Sequence, residues 1–295
     1  MYLPVKYSIM KLSIWPDAVA IAGTDVYKKF CDSVVAAGDA VSLNDWDADG
    51  AIIWSVLWNG RMTHNQKVYE HYRCQGKPVI ILEVGVLVRN HSWRVAVNHL
   101  DKTGTFIGVM NNHRYRKFPR LSDKWHVGKD ILICLQNTKS MLWDGMPTPK
   151  TWLRDTVRKL KRVTDRDIVV RPHPRDKVDL SEYTVDTPKY TVKDATDFAG
   201  KLDRYWAVIN YNSGPGIESI INGVPAFTSN KSLAYPMSRS IDQLADIENV
   251  YTPERFSWHN QICHTEWFED EIASGVVWKY LRSTLFTLLT YDPII

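Results

Sequence analysis

The chain reads as an α/β protein built from two Rossmann-like domains. Short β-branched runs bounded by Gly, Pro and Asp alternate with segments of helical periodicity. That alternation implies parallel strands joined by crossover helices. The scheme pauses at a Gly- and Pro-containing stretch near residue 140 and then starts again. The expected domains are 1–140 and 141–295, facing each other across a deep cleft. A C-terminal helix is expected to pack back toward the first domain.

The elements follow in order. VAIAG (19–23) reads as a first strand, and DVYKKFCDSVVAAG (25–38) as a helix stopped by Gly38. AVSLND follows, then AIIWSVLW (51–58), a continuous apolar run suited to a buried strand. HNQKVYEHYRCQGK is a polar helix ending near Gly76, and PVIILEVG (78–85) a further buried strand. WRVAVN (93–98) and GTFIGVM (104–110) read as strands, and 111–130 as a basic loop. ILICLQN (131–137) opens the second half, and TKSMLWDGMPTP is the linker. An amphipathic basic helix at 150–164 precedes the strand RDIVVRPHP (166–174). FAGKLDRY reads as helical, WAVIN (206–210) as a strand, GIESIING (216–223) as a helix and VPAFTS (224–229) as a strand. The tail from Thr265, TEWFEDEIASGVVWKYLRSTLFTLL, reads as helix throughout.

Bulk properties bound the function. A hydrophobic fraction of 44% in 295 residues supports a large core and argues against wholesale disorder. The net charge of +4 favours anionic partners without choosing among them. Cys31, Cys74, Cys134 and Cys263 lie too far apart for metal or redox spacing, so a reduced, cytoplasmic protein is expected. Lys6, Lys11, Pro4 and Pro16 interrupt the N-terminus, so no signal peptide is expected there. No apolar run reaches the roughly 18–20 residues of a membrane span.

Two loops in the second half carry the chemistry. Arg171-Pro172-His173-Pro174-Arg175 follows a strand, at the edge where open α/β sheets bind ligands. Arginine offers paired donors to phosphate, and histidine donates from its ring. Asn212-Ser213-Gly214-Pro215-Gly216-Ile217-Glu218-Ser219 follows the next strand and opens a helix. The free amides and positive dipole end there favour an anion. Ser213 would cap the helix or bind phosphate, Gly214 and Gly216 would admit the ligand, and Glu218 would meet ribose hydroxyls or serve in capping.

These loops resemble the donor half of capsular-polysaccharide (Kdo-transferase-like) glycosyltransferases of GT-B fold. The likeness rests on R-P-H-P-R, on N-S-x-x-G-x-E-S-x-x-x-G-x-P, on ILICLQN, and on Trp258, Trp267, Glu271, Ile272, Gly275 and Trp278. It covers about residues 130–282. It implies a nucleotide-sugar donor, expected as a UDP-sugar, bound through Arg171, His173, Arg175, Ser213, Gly214, Gly216, Glu218 and Ser219 without a metal. Some relatives are encoded by bacteriophages and decorate hydroxymethylated pyrimidines in DNA.

The first domain should supply any catalytic base. Glu83, Asp101 and Asp25 are the candidates, since an inverting transferase needs a carboxylate beside the acceptor hydroxyl. Glu83 could instead pair with Arg89 or Arg94, while Gly85 could let substrate approach. Asp45-Trp46-Asp47-Ala48-Asp49-Gly50 begins like an EF-hand loop, but its twelfth position falls on Val56, which excludes calcium binding of that type. Asp47 and Asp49 also match the D-x-D metal motif of a different transferase fold. Arg114, Arg116 and Lys117 lie in a basic, aromatic segment that could follow a nucleic-acid backbone. The expected reaction moves a sugar from a nucleotide donor to 5-hydroxymethylcytosine-type bases in phage DNA. The alternatives are a transferase building capsular or lipopolysaccharide glycan, and a non-catalytic nucleic-acid-binding protein on a degenerate transferase fold. No obligate protein partner is evident.

Overall fold

Leu12, Ile52, Ile80 and Leu82 are fully buried, and a strand places such residues in the core only when sheet neighbours flank it. The computed structural model describes residues 9–290, apart from 112, 177 and 187–198. In it these residues lie on β1 (Lys11–Ile14), β3 (Gly50–Trp54) and β4 (Val79–Val84), which with β2 (Ala40–Leu43) run parallel. β5 (Ser92–Val97) joins β4 antiparallel. Helices α1 (Thr24–Ala36) and α2 (Thr63–Cys74) provide crossovers.

The second sheet contains β6 (Asp130–Cys134), β7 (Ile168–Arg171), β8 (Thr184–Val185), β9 (Tyr205–Asn210), β10 (Ala226–Thr228) and β11 (Arg239–Ser240). All its pairings are parallel, in the order β11-β10-β9-β6-β7-β8. Helix α3 (Pro149–Leu160) is capped by Thr148, whose hydroxyl accepts the Thr151 amide. It buries Trp152, Leu153, Val157 and Leu160 on one face. Helix α4 (Gly214–Ile221) links β9 to β10.

The chain then returns to the first half. After α5 (Phe256–Ile262), β12 (Glu266–Phe268) pairs antiparallel with the outer edge of β5. The first sheet therefore runs β12-β5-β4-β3-β1-β2. α6 (Glu269–Ala273) and α7 (Val276–Thr290) follow, and Trp267, Ile272, Val277, Trp278, Leu281 and Leu285 share one core with Leu12, Phe30 and Val95. Trp278 meets Phe30 edge-on at 6.2 Å and donates its indole N–H to Asp39.

Several expectations are corrected. VAIAG is not a strand; KLSI (11–14) is, because it alone has ladder partners on both sides. Pro16 instead opens a 3-10 turn at Pro16–Ala18, and another follows at Ile21–Gly23. GTFIGVM makes a single bridge, Thr105 to Val97, because β12 holds the place beside β5. The tail is not helix throughout, since β12 comes first. FAGKLDRY gives a 3-10 helix at Ala199–Arg204, and Phe198 lies outside the described residues. So do residues 1–8, where a leader would have been sought. No described helix is long and apolar enough to cross a membrane.

Candidate active site

Parallel strands point their C-terminal ends to one edge of a sheet, and here those edges line a single cleft of about 320 Å³. From the second half come Gln136 and Asn137 after β6, Arg171 to Arg175 after β7, and Ser213, Gly214 and Glu218 at α4. Ser55, Glu83, Arg89 and Arg94 line it from the first half.

Arg171 is the last residue of β7. It is buried and donates to Asp186 Oδ2 at 2.6 Å. Two residues on, His173 Nδ1 accepts the Arg175 amide at 3.2 Å, with the Asn137 amide nitrogen at 3.4 Å. That leaves Nε2 to carry the ring hydrogen. Burial pushes the imidazole down to about 4; Asp176 opposes this, and Arg175 and Arg89 reinforce it. His173 is therefore a neutral donor near pH 7.

Ser213 precedes α4, yet its side chain does not cap the helix. Asn210 grips it twice instead. The Ser213 amide donates to Asn210 Oδ1 at 2.9 Å, and the Asn210 amide donates to Ser213 Oγ at 2.8 Å. Ser213 Oγ is thus an acceptor toward Asn210, and its own hydrogen is left to donate elsewhere. Gly214 stands where the halves meet: a Cβ there would lie 3.2 Å from Val86 Cγ1 and 3.3 Å from Glu218 Oε1. Burial pushes the Glu218 carboxyl up to about 7, although Arg89 and Arg171 pull it down; Glu266 adds to the rise.

The opposite wall is held just as firmly. Glu83, at the end of β4, lies across from Arg94 in the ladder. Its Oε2 accepts from Ser55 Oγ at 2.6 Å, and its Oε1 from the Val84 amide at 2.8 Å. Glu266 of β12 is fully buried. It accepts the amides of Val86 and Leu87 and the hydroxyl of Ser92. This carboxylate fixes the loop that brings Arg89 to the cleft. Gly85 makes room for Glu266 and Ser92, which a Cβ would strike, rather than for a substrate.

Other expected residues lie elsewhere. Asp101 is buried outside the cleft lining. Its Oδ1 closes a turn through Thr103, and its Oδ2 accepts from Asn212 Nδ2 at 3.2 Å, which ties the halves together. Asp25 is exposed in the first turn of α1 and does not line the cleft. Ser219 is buried and donates to Gly216 O. Gly216 faces Thr228 and Ala234, so it serves helix–sheet packing.

The nucleic-acid reading is corrected at Arg114. Arg114 is buried, makes a two-pronged pair with Glu271, and donates to the carbonyls of Cys263 and Glu266. It stacks over Trp267 at 4.0 Å. Lys117 pairs with the same carboxylate at 2.9 Å, and Arg116 alone of the three is exposed without an ion pair among the described contacts. Burial would raise Glu271, but Arg114, Lys117 and the Phe268 amide outweigh it and hold the carboxyl at about 2. Asp45, of the acidic turn, pairs with Lys11.

Gln136 and Arg89 are cleft residues that the motifs did not single out. Gln136 accepts the Asn212 amide at 3.1 Å. Its position in ILICLQN, at the end of a buried strand, was the available signal.

No family model matches the chain, and no curated protein matches it. Solved structures do. The β-Kdo 2,4 transferase of KpsC from Thermosulfurimonas dismutans aligns with a TM-score of 0.50 and 12% identity, covering 93% of this chain and 99% of that one. This chain has a GT-B-like fold. The β-Kdo 2,7 transferase of KpsC from the same organism aligns with a TM-score of 0.49 and 14% identity, covering 90% and 98%. At such identities the likeness of this GT-B-like chain extends to architecture: two α/β units with parallel strands.

Proposed function

We propose that this chain is a glycosyltransferase that takes a sugar from a nucleotide donor and passes it to a glycan hydroxyl. The observation that carries this is the convergence, on one cleft, of Arg171, His173, Arg175, Ser213 and Glu218 opposite Glu83. The donor phosphates lie against Arg171, Arg175, the neutral His173 and the start of α4, and Glu218 meets the ribose. As the acceptor oxygen bonds to the anomeric carbon, the bond from that carbon to the phosphate oxygen breaks. Its electron pair leaves with the phosphate, where the arginines and helix amides meet the charge. Glu83 takes the acceptor proton.

A glycan acceptor is preferred to DNA because Arg114, offered as a phosphate contact, is buried against Glu271. The KpsC structure that aligns at a TM-score of 0.50 is a Kdo transferase, and only the reaction class, sugar transfer, is extended to this chain. Metal-free catalysis belongs to the proposal, with cations and helix amides in the metal's usual place.

The test is nucleotide release from a panel of UDP-, CMP-, GDP- and TDP-activated sugars. One donor at least should turn over, at a rate unaffected by EDTA. Arg171→Ala should lower kcat/KM by on the order of 100-fold. Failure of every donor to bind or turn over would sink the transferase reading, and loss of turnover in EDTA would remove its metal-free form.

A further inference from the structure

Four described non-glycine residues have positive φ: Asn44, Ser55, Asn90 and Asn98. Asparagine tolerates the left-handed region because its short amide bonds locally, and three of the four positions use it. Ser55 is the exception, at φ +66°. It is buried, it lines the cleft, and it directly follows β3. Strained residues of this kind persist where surrounding structure enforces them, and they gather at functional sites.

The hydroxyl explains the choice. The Ser55 amide donates to Leu82 O at 2.7 Å, which keeps the residue in register with β4. The Leu57 amide donates to Ser55 Oγ at 3.0 Å, so the hydroxyl's own hydrogen points the other way, to Glu83 Oε2 at 2.6 Å. The left-handed turn swings the chain back so that one oxygen serves both neighbours. Glycine or asparagine would relieve the backbone and lose this arrangement.

We propose that Ser55 is a positioning residue that holds the Glu83 carboxylate to receive the acceptor proton. This rests on the reading of Glu83 as the base. Among the described residues, Val84 N–H bonds Oε1 and Ser55 bonds Oε2, and a carboxylate oxygen with one such bond keeps a lone pair for substrate. In the reaction the proton moves from the acceptor oxygen to Glu83 while Ser55 keeps its own.

The test compares Ser55→Ala, Ser55→Gly and Glu83→Gln by nucleotide release from the same sugar panel, across pH. Ser55→Gly guards against misfolding, because glycine accepts the left-handed backbone freely. Both serine variants should lose about 10- to 100-fold in kcat, with donor and acceptor KM within about twofold. The acidic limb of the kcat profile should move to higher pH, since the charged carboxylate loses a donor. Arg94, Arg89, Arg171, Arg175, His173, Glu218 and Cys134, the other charged or titratable groups on the cleft walls, are unchanged in these variants. Wild-type kcat and an unmoved limb in both serine variants, with Glu83→Gln inactive, would overturn the proposal alone. An active Glu83→Gln would instead overturn the base reading, and the inference with it.

Discussion

Glu218 and His173 share one cleft but titrate in opposite senses. Glu218 rises from an ordinary 4.5 to about 7, so the folded chain keeps a proton that the unfolded chain has released between those values. Its contribution to stability is full below pH 4.5 and is lost as pH rises through 7. Glu218→Gln should therefore stabilise the protein at pH 8, by up to about 3 kcal/mol, and have little effect near pH 4.5. Urea unfolding at several pH values checks this, and a difference independent of pH would refute it. His173, lowered from 6.5 to about 4, acts in reverse: its contribution is full above 6.5 and is lost as pH falls through 4. Arg114 is a structural residue by its contacts. Arg114→Ala leaves the half-buried Glu271 carboxylate to Lys117 and the Phe268 amide and takes the donor from the Cys263 and Glu266 carbonyls, and should cost about 3–5 kcal/mol in the same unfolding assay. Arg114→Lys should rescue it poorly, because lysine lacks the planar fork.

At the scale of elements, β12 governs the first-half wall of the cleft without lining it. Glu266 holds the Val86 and Leu87 amides, and the loop they begin carries Arg89. Gly85→Ala would drive a methyl into Glu266 and Ser92. It should cost about 1–3 kcal/mol by thermal unfolding and raise donor KM as well. An unchanged KM would show that the loop does not shape the site. Most of the second sheet was legible in the sequence because its strands are β-branched runs between glycines and prolines. The cleft loops after β7 and β9 were legible because their prolines, glycines and charged residues punctuate strand ends. β12 was not: three residues inside a helix-rich tail give no period, and their partner β5 lies some 170 positions away, as the pairing of Glu266 with Arg94 shows. VAIAG misled because an apolar run signals burial, and strand ladders need partners as well. The basic segment misled because a charge pattern does not reveal that Glu271 folds onto it.

At the scale of the molecule, the halves are joined across the cleft by a short series of polar contacts. Asn212 donates to Asp101, Lys102 N–H to Lys231 O, Trp58 N–H to Lys139 O and Met141 N–H to Val56 O. Asp101, a candidate base in the sequence, holds Asn212, the residue before Ser213. Asp101→Ala should keep kcat while donor KM rises about 2- to 10-fold, the value of one such hydrogen bond. A collapse of kcat would return Asp101 to the chemistry. The return of the tail to the first sheet also sets a schedule for synthesis. The core around Ile133, Leu153, Ile209 and Phe227 is complete once residue 250 has been made, whereas the core around Leu12, Phe30 and Val95 awaits Trp267, Trp278 and Leu285. Domains ordinarily fold in the order they leave the ribosome. Here the later half should become protease-resistant first: nascent chains arrested near residue 264 should protect 130–250 and leave 9–107 open to cleavage. The amino-terminal half is closed only by residues 267–285, so a chain stopped before them leaves the apolar side chains around Leu12, Phe30 and Val95 uncovered.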